Sequence, residues 1–168
     1  MGRIFKGTPP RLPVIFQSYD APLYFVTFNT LLKRPLLGSD AVHAAFRTYA
    51  EAGLKFNVAT GRYVIMPDHV HVFARIGRDM TLRRWAGGLK QCLGRKLVEL
   101  GHDPTTIPGA KLRSFWQPGF FDHLLRHDES YSQKWDYIWH NPVRAGLVAR
   151  PEDWPYQGEV HPIFRVQH

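Results

Sequence analysis

Hydrophobic and polar residues follow two different spacings along this chain, and each spacing predicts one kind of element. Apolar residues at every second position are typical of strands, whose side chains alternate between two faces. Apolar residues at every third or fourth position line one side of a helix. The alternating segments predict strands over residues 24–30, 55–59, 63–66, 69–76, 114–117 and 120–125. The segments with helical spacing are residues 39–52, 81–100 and 128–141.

Capping and helix-breaking residues set the ends of the predicted helices. Ser39 or Asp40 can cap the first helix, and Gly53 is expected to end it. Pro142 is expected to stop the last helix at Asn141, because proline disfavours helical backbone in the residue before it. The resulting order of strands and helices predicts an α+β fold in one domain, with a central antiparallel sheet and helices packed mainly on one face.

The apolar faces of the predicted helices name the core residues that we expect. For the first helix they are Val42, Ala45, Phe46 and Tyr49; for the second, Leu82, Trp85, Leu89, Leu93, Leu97 and Leu100; for the third, Tyr131, Trp135, Ile138 and Pro142.

Proline content divides the chain into three parts. We expect an extended N-terminal arm over residues 1–22, the folded domain over 23–157 and a C-terminal tail over 158–168. No apolar run approaches the length of a membrane span, and no secretory signal or internal disulfide is expected, since Cys92 is the single cysteine. We therefore expect a cytoplasmic, nucleoid-associated protein.

The chain carries an excess of positive charge. Lys and Arg number 22 against 14 Asp and Glu, which gives a net charge of +8 over 168 residues. An excess of this kind favours a polyanionic partner, most often nucleic acid, over a merely soluble basic protein. The phosphate-binding glycine loop and the CxxC metal motif do not occur in the sequence, so no nucleotide cofactor is expected.

His69 and His71 are the first candidates for chemistry. They follow the predicted turn at Pro67-Asp68 and lie two residues apart in a strand, so they point to the same face. Two adjacent imidazoles are suitable ligands for a divalent ion. Taken alone, the pair is as well explained by two exposed histidines on an open sheet.

The last predicted helix adds a second group of candidates. Tyr137 and Asn141 lie one turn apart and away from its apolar stripe, with Lys134 beside them. An amide oxygen is a hard ligand that suits Mg²⁺ or Mn²⁺. His140 is a rival third ligand. The alternative to a metal site is that Tyr137 is an amphipathic residue at the edge of the core and Asn141 only ends the helix before Pro142.

The helix over residues 81–100 offers a basic side for DNA. Glycines in it would mark close backbone approach to a strand, a ligand or the sheet. A solvated basic face is the alternative. Its candidate residues are Arg83, Arg84, Lys90, Arg95 and Lys96, with Gly87, Gly88 and Gly94 among them.

Four motifs in one order resemble a known family. YVIMPDHVHVFARI, SFWQPGFFDHLLR, KWDYIWHNPVRAGLV and DWPYQ are similar to segments of the REP-associated tyrosine transposases, within the single-tyrosine HUH transposases. The similarity runs over residues 24–157. The combination of HVH with YIxxNPVRAGLV is specific, whereas neither half is specific alone.

The resemblance implies an HUH domain in which His69 and His71 bind Mg²⁺ or Mn²⁺ and Tyr137 is the nucleophile. Asn141 matches the polar position that contributes to the metal site in relatives. The implied substrate is single-stranded DNA with a short hairpin, such as a repetitive extragenic palindrome. It would be cleaved and rejoined through a 5′-phosphotyrosine, in DNA transposition and recombination. Relatives of the insertion-sequence branch are dimers with the tyrosine supplied in trans; for this branch a monomer is expected.

Two positions depart from the family pattern. Asp68 stands where many relatives have Asn, and Gln157 stands where they often have Ser. Asp68 would either be harmless in the turn or tune the metal. For residues 120–123, Phe-Phe-Asp-His, the motif indicates no role. The alternative functions are a catalytically silent, domesticated binder of structured single-stranded DNA or RNA, and a structural metal site.

Overall fold

A computed structural model describes residues 21–126 and 128–163, without the side chains of residues 128 and 129. The expected arm therefore lies outside the described residues up to position 20, and so does the tail from position 164. Within the described residues no helix is both long and apolar enough to cross a bilayer.

The centre of the fold is a five-stranded antiparallel sheet. Its strand order is β6-β1-β3-β2-β7, so β3, which carries the two candidate histidines, lies in the middle. A separate two-stranded ribbon joins β4 and β5. The strands are β1 Leu23–Asn29, β2 Val58–Ile65, β3 His69–Ile76, β4 Thr105–Thr106, β5 Arg113–Ser114, β6 Phe121–Leu125 and β7 Gln157–Glu159.

The helices cover the two faces of this sheet unequally. Helices α1 (Asp40–Ala52) and α2 (Leu82–Glu99) pack on one face, against even-numbered β3 residues such as Val72. Helix α3 (Asp128–Trp139) packs on the other face and is followed by the short helix α4 (Asn141–Arg144). The α+β prediction, with helices mainly on one face, is confirmed.

Most of the predicted elements are present with small shifts. Ser39 caps α1, its side chain accepting a hydrogen bond from the backbone N–H of Val42, and Thr81 caps α2 in the same way. The predicted hairpin forms, with Met66 N–H bonded to the carbonyl of His69. Trp85, Leu89, Leu93 and Leu97 of the predicted α2 stripe are buried, and so is Ala86, which the stripe did not include. Leu82 is partly buried, and Leu100 is 44% exposed because it lies beyond the last helical turn.

Three predictions about strands are wrong. Residues 55–56 belong to a 3-10 turn, and Asn57 adopts a left-handed φ of 60°, so the strand begins only at Val58. The two segments predicted over 55–59 and 63–66 are a single strand, β2, interrupted by a bulge between Thr60 and Tyr63. The strand predicted over 114–117 is reduced to β5, Arg113–Ser114, which pairs with β4, and Trp116 forms only an isolated bridge to Thr30.

The last predicted helix ends earlier than expected. Helix α3 stops at Trp139, and Pro142 lies in the first turn of α4 rather than terminating a helix. Proline is accommodated there because the first helical N–H groups have no partner within the helix. In the expected tail, β7 adds the final strand of the sheet and Ile163 packs into the core under α3.

Candidate active site

Register places the two histidines of β3 beside polar residues of β1. Thr27 lies opposite His71 and Asn29 opposite His69, and all four side chains share the sheet face that carries α3. The imidazole rings of His69 and His71 are neighbours, with centroids 4.8 Å apart. The predicted placement of both histidines on one face is therefore realised.

The surroundings of His71 keep its ring neutral and oriented. Thr27 Oγ1 lies 2.7 Å from Nδ1, and the Phe25 ring stacks on the imidazole at 5.4 Å. Burial, followed by the charges of His69 and Arg144, lowers the pKa of His71 to about 3. A neutral imidazole with Nδ1 protonated presents a lone pair on Nε2, which is the form that binds metal ions.

The carboxylate of Asp68 orients His69 in a similar way. Its Oδ1 lies 2.7 Å from Nδ1 of His69 and accepts a hydrogen bond from the N–H group there. Nε2 of His69 is then the nitrogen left to act as a ligand. A carboxylate behind a ligating histidine fixes the ring and raises its basicity. Asp68, one of the two positions noted as departing from the family pattern, thus contacts the candidate ligand His69.

Asn141 is brought to the histidines by the break between α3 and α4. Its Nδ2 lies 3.0 Å from Nε2 of His71, so the amide donates to the lone pair of that ring. Its Oδ1 accepts a hydrogen bond from the Arg144 guanidinium at 3.1 Å. Rotation of the amide about its terminal bond exchanges these two atoms and turns the oxygen towards His71.

Tyr137 lies one turn before Asn141, near the end of α3, and is 64% exposed. The guanidinium of Arg144 covers its ring, with Cζ 3.9 Å from the ring centroid. Arg144 also donates to the backbone carbonyl of Tyr137. One arginine therefore contacts both the candidate nucleophile and the candidate amide ligand.

His140, the rival third ligand, contacts α3. Its Nδ1 lies 2.8 Å from the backbone carbonyl of Asp136, one turn back in α3, and its ring packs against Trp139. Among the described residues, no group of three His, Cys, Asp or Glu side chains could hold a metal ion. The donors that do converge are two imidazoles and the Asn141 amide, a set that fits a divalent ion of the Mg²⁺ or Mn²⁺ class.

A cleft of about 440 Å³ opens beside these groups. Two cations, Lys33 and Arg144, line it together with His69 and Asn141. Lys33 and its neighbour Leu32 both have left-handed φ values, 53° and 56°, which cost energy in residues other than glycine. The Thr30 N–H and hydroxyl hold this loop to the Asp68 carbonyl.

The predicted DNA-binding residues fall into two groups. Arg83, Arg84 and Arg95 are exposed on α2. Lys90 instead donates to the carbonyls of Gln117 and Gly119, and Lys134 lies over the Phe25 ring at 5.2 Å. Lys90 thus anchors a turn, and Lys134 lies beside the histidine face.

Sequence reasoning missed two residues of the site. Arg144 follows Asn141 by three positions, so helical spacing could have placed it on the same side. Thr27 could be found only from the register of β1 on β3, which alternation by itself does not determine.

The described fold is also that of a solved protein. The solved structure of a REP-associated tyrosine transposase bound to a REP hairpin superposes with a TM-score of 0.59 at 23% identity, covering 88% of this chain and 87% of that one. The fold is thus that of the REP-associated tyrosine transposases. No family model matches the chain.

Curated relatives support the same resemblance. The REP-associated tyrosine transposase of Escherichia coli is 28% identical over 116 residues, which is 68% of this chain and 59% of that protein. A Haemophilus influenzae protein described by the same family name is 27% identical over 136 residues, 80% of this chain and 77% of its own length. The resemblance inferred from the motifs is confirmed, and the chain is a homologue of REP-associated tyrosine transposases.

Proposed function

We propose that this chain is a metal-dependent transposase that cleaves and rejoins hairpin-bearing single-stranded DNA through a covalent 5′-phosphotyrosine. The contact between Asn141 and His71 carries the proposal, because it joins the start of α4, directly after the tyrosine-bearing helix α3, to the histidine pair. The names of the relatives support the choice of substrate, since a solved homologue is described with a REP hairpin.

Each residue has a role in this reaction. The Tyr137 hydroxyl loses its proton and attacks the scissile phosphorus, forming the Tyr–O–P bond. The bond from phosphorus to the 3′ oxygen breaks, and that oxygen gains a proton, so a 3′-hydroxyl end is released. The reverse attack by a 3′-hydroxyl rejoins the strand and restores the tyrosine. A phenol has a pKa near 10, so the nucleophile needs assistance at neutral pH.

His69, His71 and Asn141 would hold the ion. A bound Mg²⁺ or Mn²⁺ supplies polarisation of the scissile phosphate and stabilises its developing charge. Asp68 and Thr27 keep the two Nε2 atoms available by bonding the two Nδ1 atoms.

Arg144 contributes charge at the same place. Its guanidinium lies over the Tyr137 ring, beside the cleft where the phosphate would pass. A guanidinium can engage a phosphate through two parallel hydrogen bonds. Lys33, which lines the same cleft, offers a second cation. The excess charge of +8 supports a polyanionic substrate as a whole.

The test is detection of a covalent adduct on a denaturing gel. The probes are 5′- and 3′-labelled hairpins with unpaired flanks. Their sequences are taken from the genome on either side of the gene, and they are incubated with Mn²⁺. The wild type should yield an adduct that retains label on the 3′-side fragment, and Tyr137→Phe should yield none while binding DNA nearly as well. Tyr24→Phe is the matched control, because Tyr24 lies on the opposite face of the sheet and should leave the adduct unchanged.

The outcomes separate the proposal from its alternative. Adduct that persists in Tyr137→Phe would overturn the assignment of the nucleophile. Salt-sensitive binding of every hairpin with no cleavage by the wild type would instead support a catalytically silent binder.

A further inference from the structure

The segment Phe-Phe-Asp-His at residues 120–123 has no part in the proposed chemistry. It leads into and forms most of β6, the strand at one edge of the sheet. Phe121 lies opposite Thr27, which in turn lies opposite His71. Residues opposite one another across paired strands share a face, so Phe121 lies on the face of the candidate metal site, two strand spacings or about 10 Å away.

Phe121 is exposed in a way that a core residue would not be. Its side chain is 64% exposed, and His123, next on the same face, is also exposed. Phe120, the preceding residue, packs against the main core. It supplies the aromatic core contact at this point of the chain. Packing therefore does not explain why a large aromatic ring occupies position 121.

A small cleft adjoins the Phe121 ring. Its volume is about 130 Å³, and it is lined by Phe120 and Phe121, the amide residues Asn29 and Gln117, and the Pro118–Gly119 turn. Asn29 lies directly opposite His69, so the cleft continues the face that carries the candidate ligands. An aromatic ring beside side-chain amides is the combination that binds an unpaired base, by stacking on its face and hydrogen bonding to its edge.

The turn beside this cleft is held in place before any ligand arrives. The Gln117 N–H donates to the Asn29 carbonyl at 3.0 Å. Lys90 donates to the carbonyls of Gln117 and Gly119 from α2. A stacking surface on a fixed turn loses less conformational entropy on binding than one on a mobile loop.

Charge on the same face favours a nucleic-acid strand as the occupant. Lys134 of α3 lies over Phe25, and Phe25 lies opposite His123. Lys33 and Arg144 flank the candidate site beyond the histidines. A strand whose phosphates met these cations would place its bases towards the sheet, as expected for single-stranded nucleic acid on an aromatic platform.

We propose that Phe121, with Asn29 and Gln117, forms a binding subsite for an unpaired base of the DNA strand next to the scissile phosphate. The proposal rests on the proposed function, because it takes the same strand as ligand. It extends that function by assigning Phe121 as a residue that binds the unpaired flank rather than the hairpin.

The experiment compares binding of two metal-free probes in EDTA. One is a hairpin with an unpaired flank that carries 2-aminopurine at successive positions, and the other is the same hairpin with no flank. Phe121→Leu should weaken binding of the flanked hairpin roughly tenfold or more and leave the blunt hairpin unchanged. It should also abolish fluorescence quenching at one flank position, whereas Phe121→Trp should retain both properties.

Leu124→Ala is the matched control. Leu124 is on the same strand and is 40% exposed, but it points to the opposite face. Equal losses for Phe121→Leu and Leu124→Ala, or equal losses for flanked and blunt hairpins, would overturn the subsite. A second copy of the chain pairing with the β6 edge is the competing occupant. A change of oligomeric state on Phe121→Leu, measured by light scattering, would favour that occupant and overturn the proposal.

This result is distinguishable from failure of the proposed function. Binding in EDTA does not require cleavage or metal. Phe121→Leu could lose affinity for the flanked hairpin alone while the wild type forms no covalent adduct. That result would uphold the subsite and overturn the transposase chemistry. Adduct formation with no flank-specific loss would do the reverse.

Discussion

Asn141 donates a hydrogen bond from Nδ2 to Nε2 of His71 across 3.0 Å, although the two residues are 70 positions apart in the chain. This contact joins the middle strand of the sheet to the start of α4. Because α3 and α4 are consecutive, the same contact fixes where Tyr137 lies relative to the histidine pair. It also distinguishes the rival ligands Asn141 and His140, since Asn141 contacts His71 whereas His140 is hydrogen-bonded to Asp136 of α3.

Asn141→Ala should weaken Mn²⁺ binding by more than roughly tenfold, because it removes one of three converging donors. His140→Ala should change the affinity little, since Asn141 contacts His71 whereas His140 contacts Asp136 and Trp139 of α3. Isothermal titration calorimetry of both variants with Mn²⁺ measures the difference. The reverse order of the two affinities would make His140 the third ligand.

Asp68→Asn should weaken Mn²⁺ binding by about tenfold, because the amide carries no charge to raise the basicity of His69. The folded protein should melt at nearly the same temperature without metal, since Asp68 and His69 are both partly exposed. The measurement is Mn²⁺ affinity beside thermal denaturation in EDTA. Unchanged affinity would mean that the departure from the family residue has no effect on the metal.

Glycines in α2 give a matched pair for stability. A Cβ at Gly87 would meet nothing within 4 Å, so Gly87→Ala should raise the free energy of unfolding by about 1 kcal/mol. A Cβ at Gly88 would lie 2.4 Å from the Tyr49 hydroxyl, which donates to the Trp85 carbonyl. Gly88→Ala should therefore be at least about 1 kcal/mol less stable than Gly87→Ala. Urea denaturation measures both, and equal stabilities would contradict the close approach.

The pKa of His71 predicts how the metal-free protein responds to acid. The unfolded imidazole titrates near 6.5, whereas in the folded protein burial, then His69 and Arg144, lower the pKa to about 3. Between these values the unfolded state binds more protons, so the free energy of unfolding should fall as pH falls from 6.5 towards 3. His161 contributes with the same sign, because burial lowers its pKa as well.

The check is the melting temperature in EDTA at pH 7 and at pH 5. The melting temperature should drop in the wild type and drop less in His71→Gln, which removes one of the groups whose pKa is lowered. His161→Gln is the comparison variant away from the metal site. Identical slopes in the wild type and His71→Gln would rule out His71 as a source of acid sensitivity.

Alternation and helical spacing predicted the fold well where one face of an element is buried. Helix α2 shows this, because its stripe from Trp85 to Leu97 is buried as the spacing predicts. The prediction failed at residues 55–56, where β-forming residues sit in a 3-10 turn. There the left-handed backbone of Asn57 and the contacts of neighbouring elements outweigh local propensity.

The sequence named the candidate ligands and nucleophile, but not their contacts and not Thr27 or Arg144. His69, His71 and Asn141 follow from local spacing and motif order. Asp68 behind His69 is also a local relationship, between adjacent residues. The role of Lys90 as an anchor could not be predicted, because it depends on the carbonyls of Gln117 and Gly119, 27 and 29 positions away. Contacts of that kind follow from tertiary packing, which no short window of sequence contains.

The separations across the site have a consequence during synthesis of the protein. Thr27, His71 and Asn141 come from three distant parts of the chain, 44 and 70 positions apart. A ribosome-bound chain that has not yet released residue 144 cannot bring the tyrosine, its covering arginine and the histidines together. The candidate site therefore cannot form until nearly the whole domain has emerged and folded.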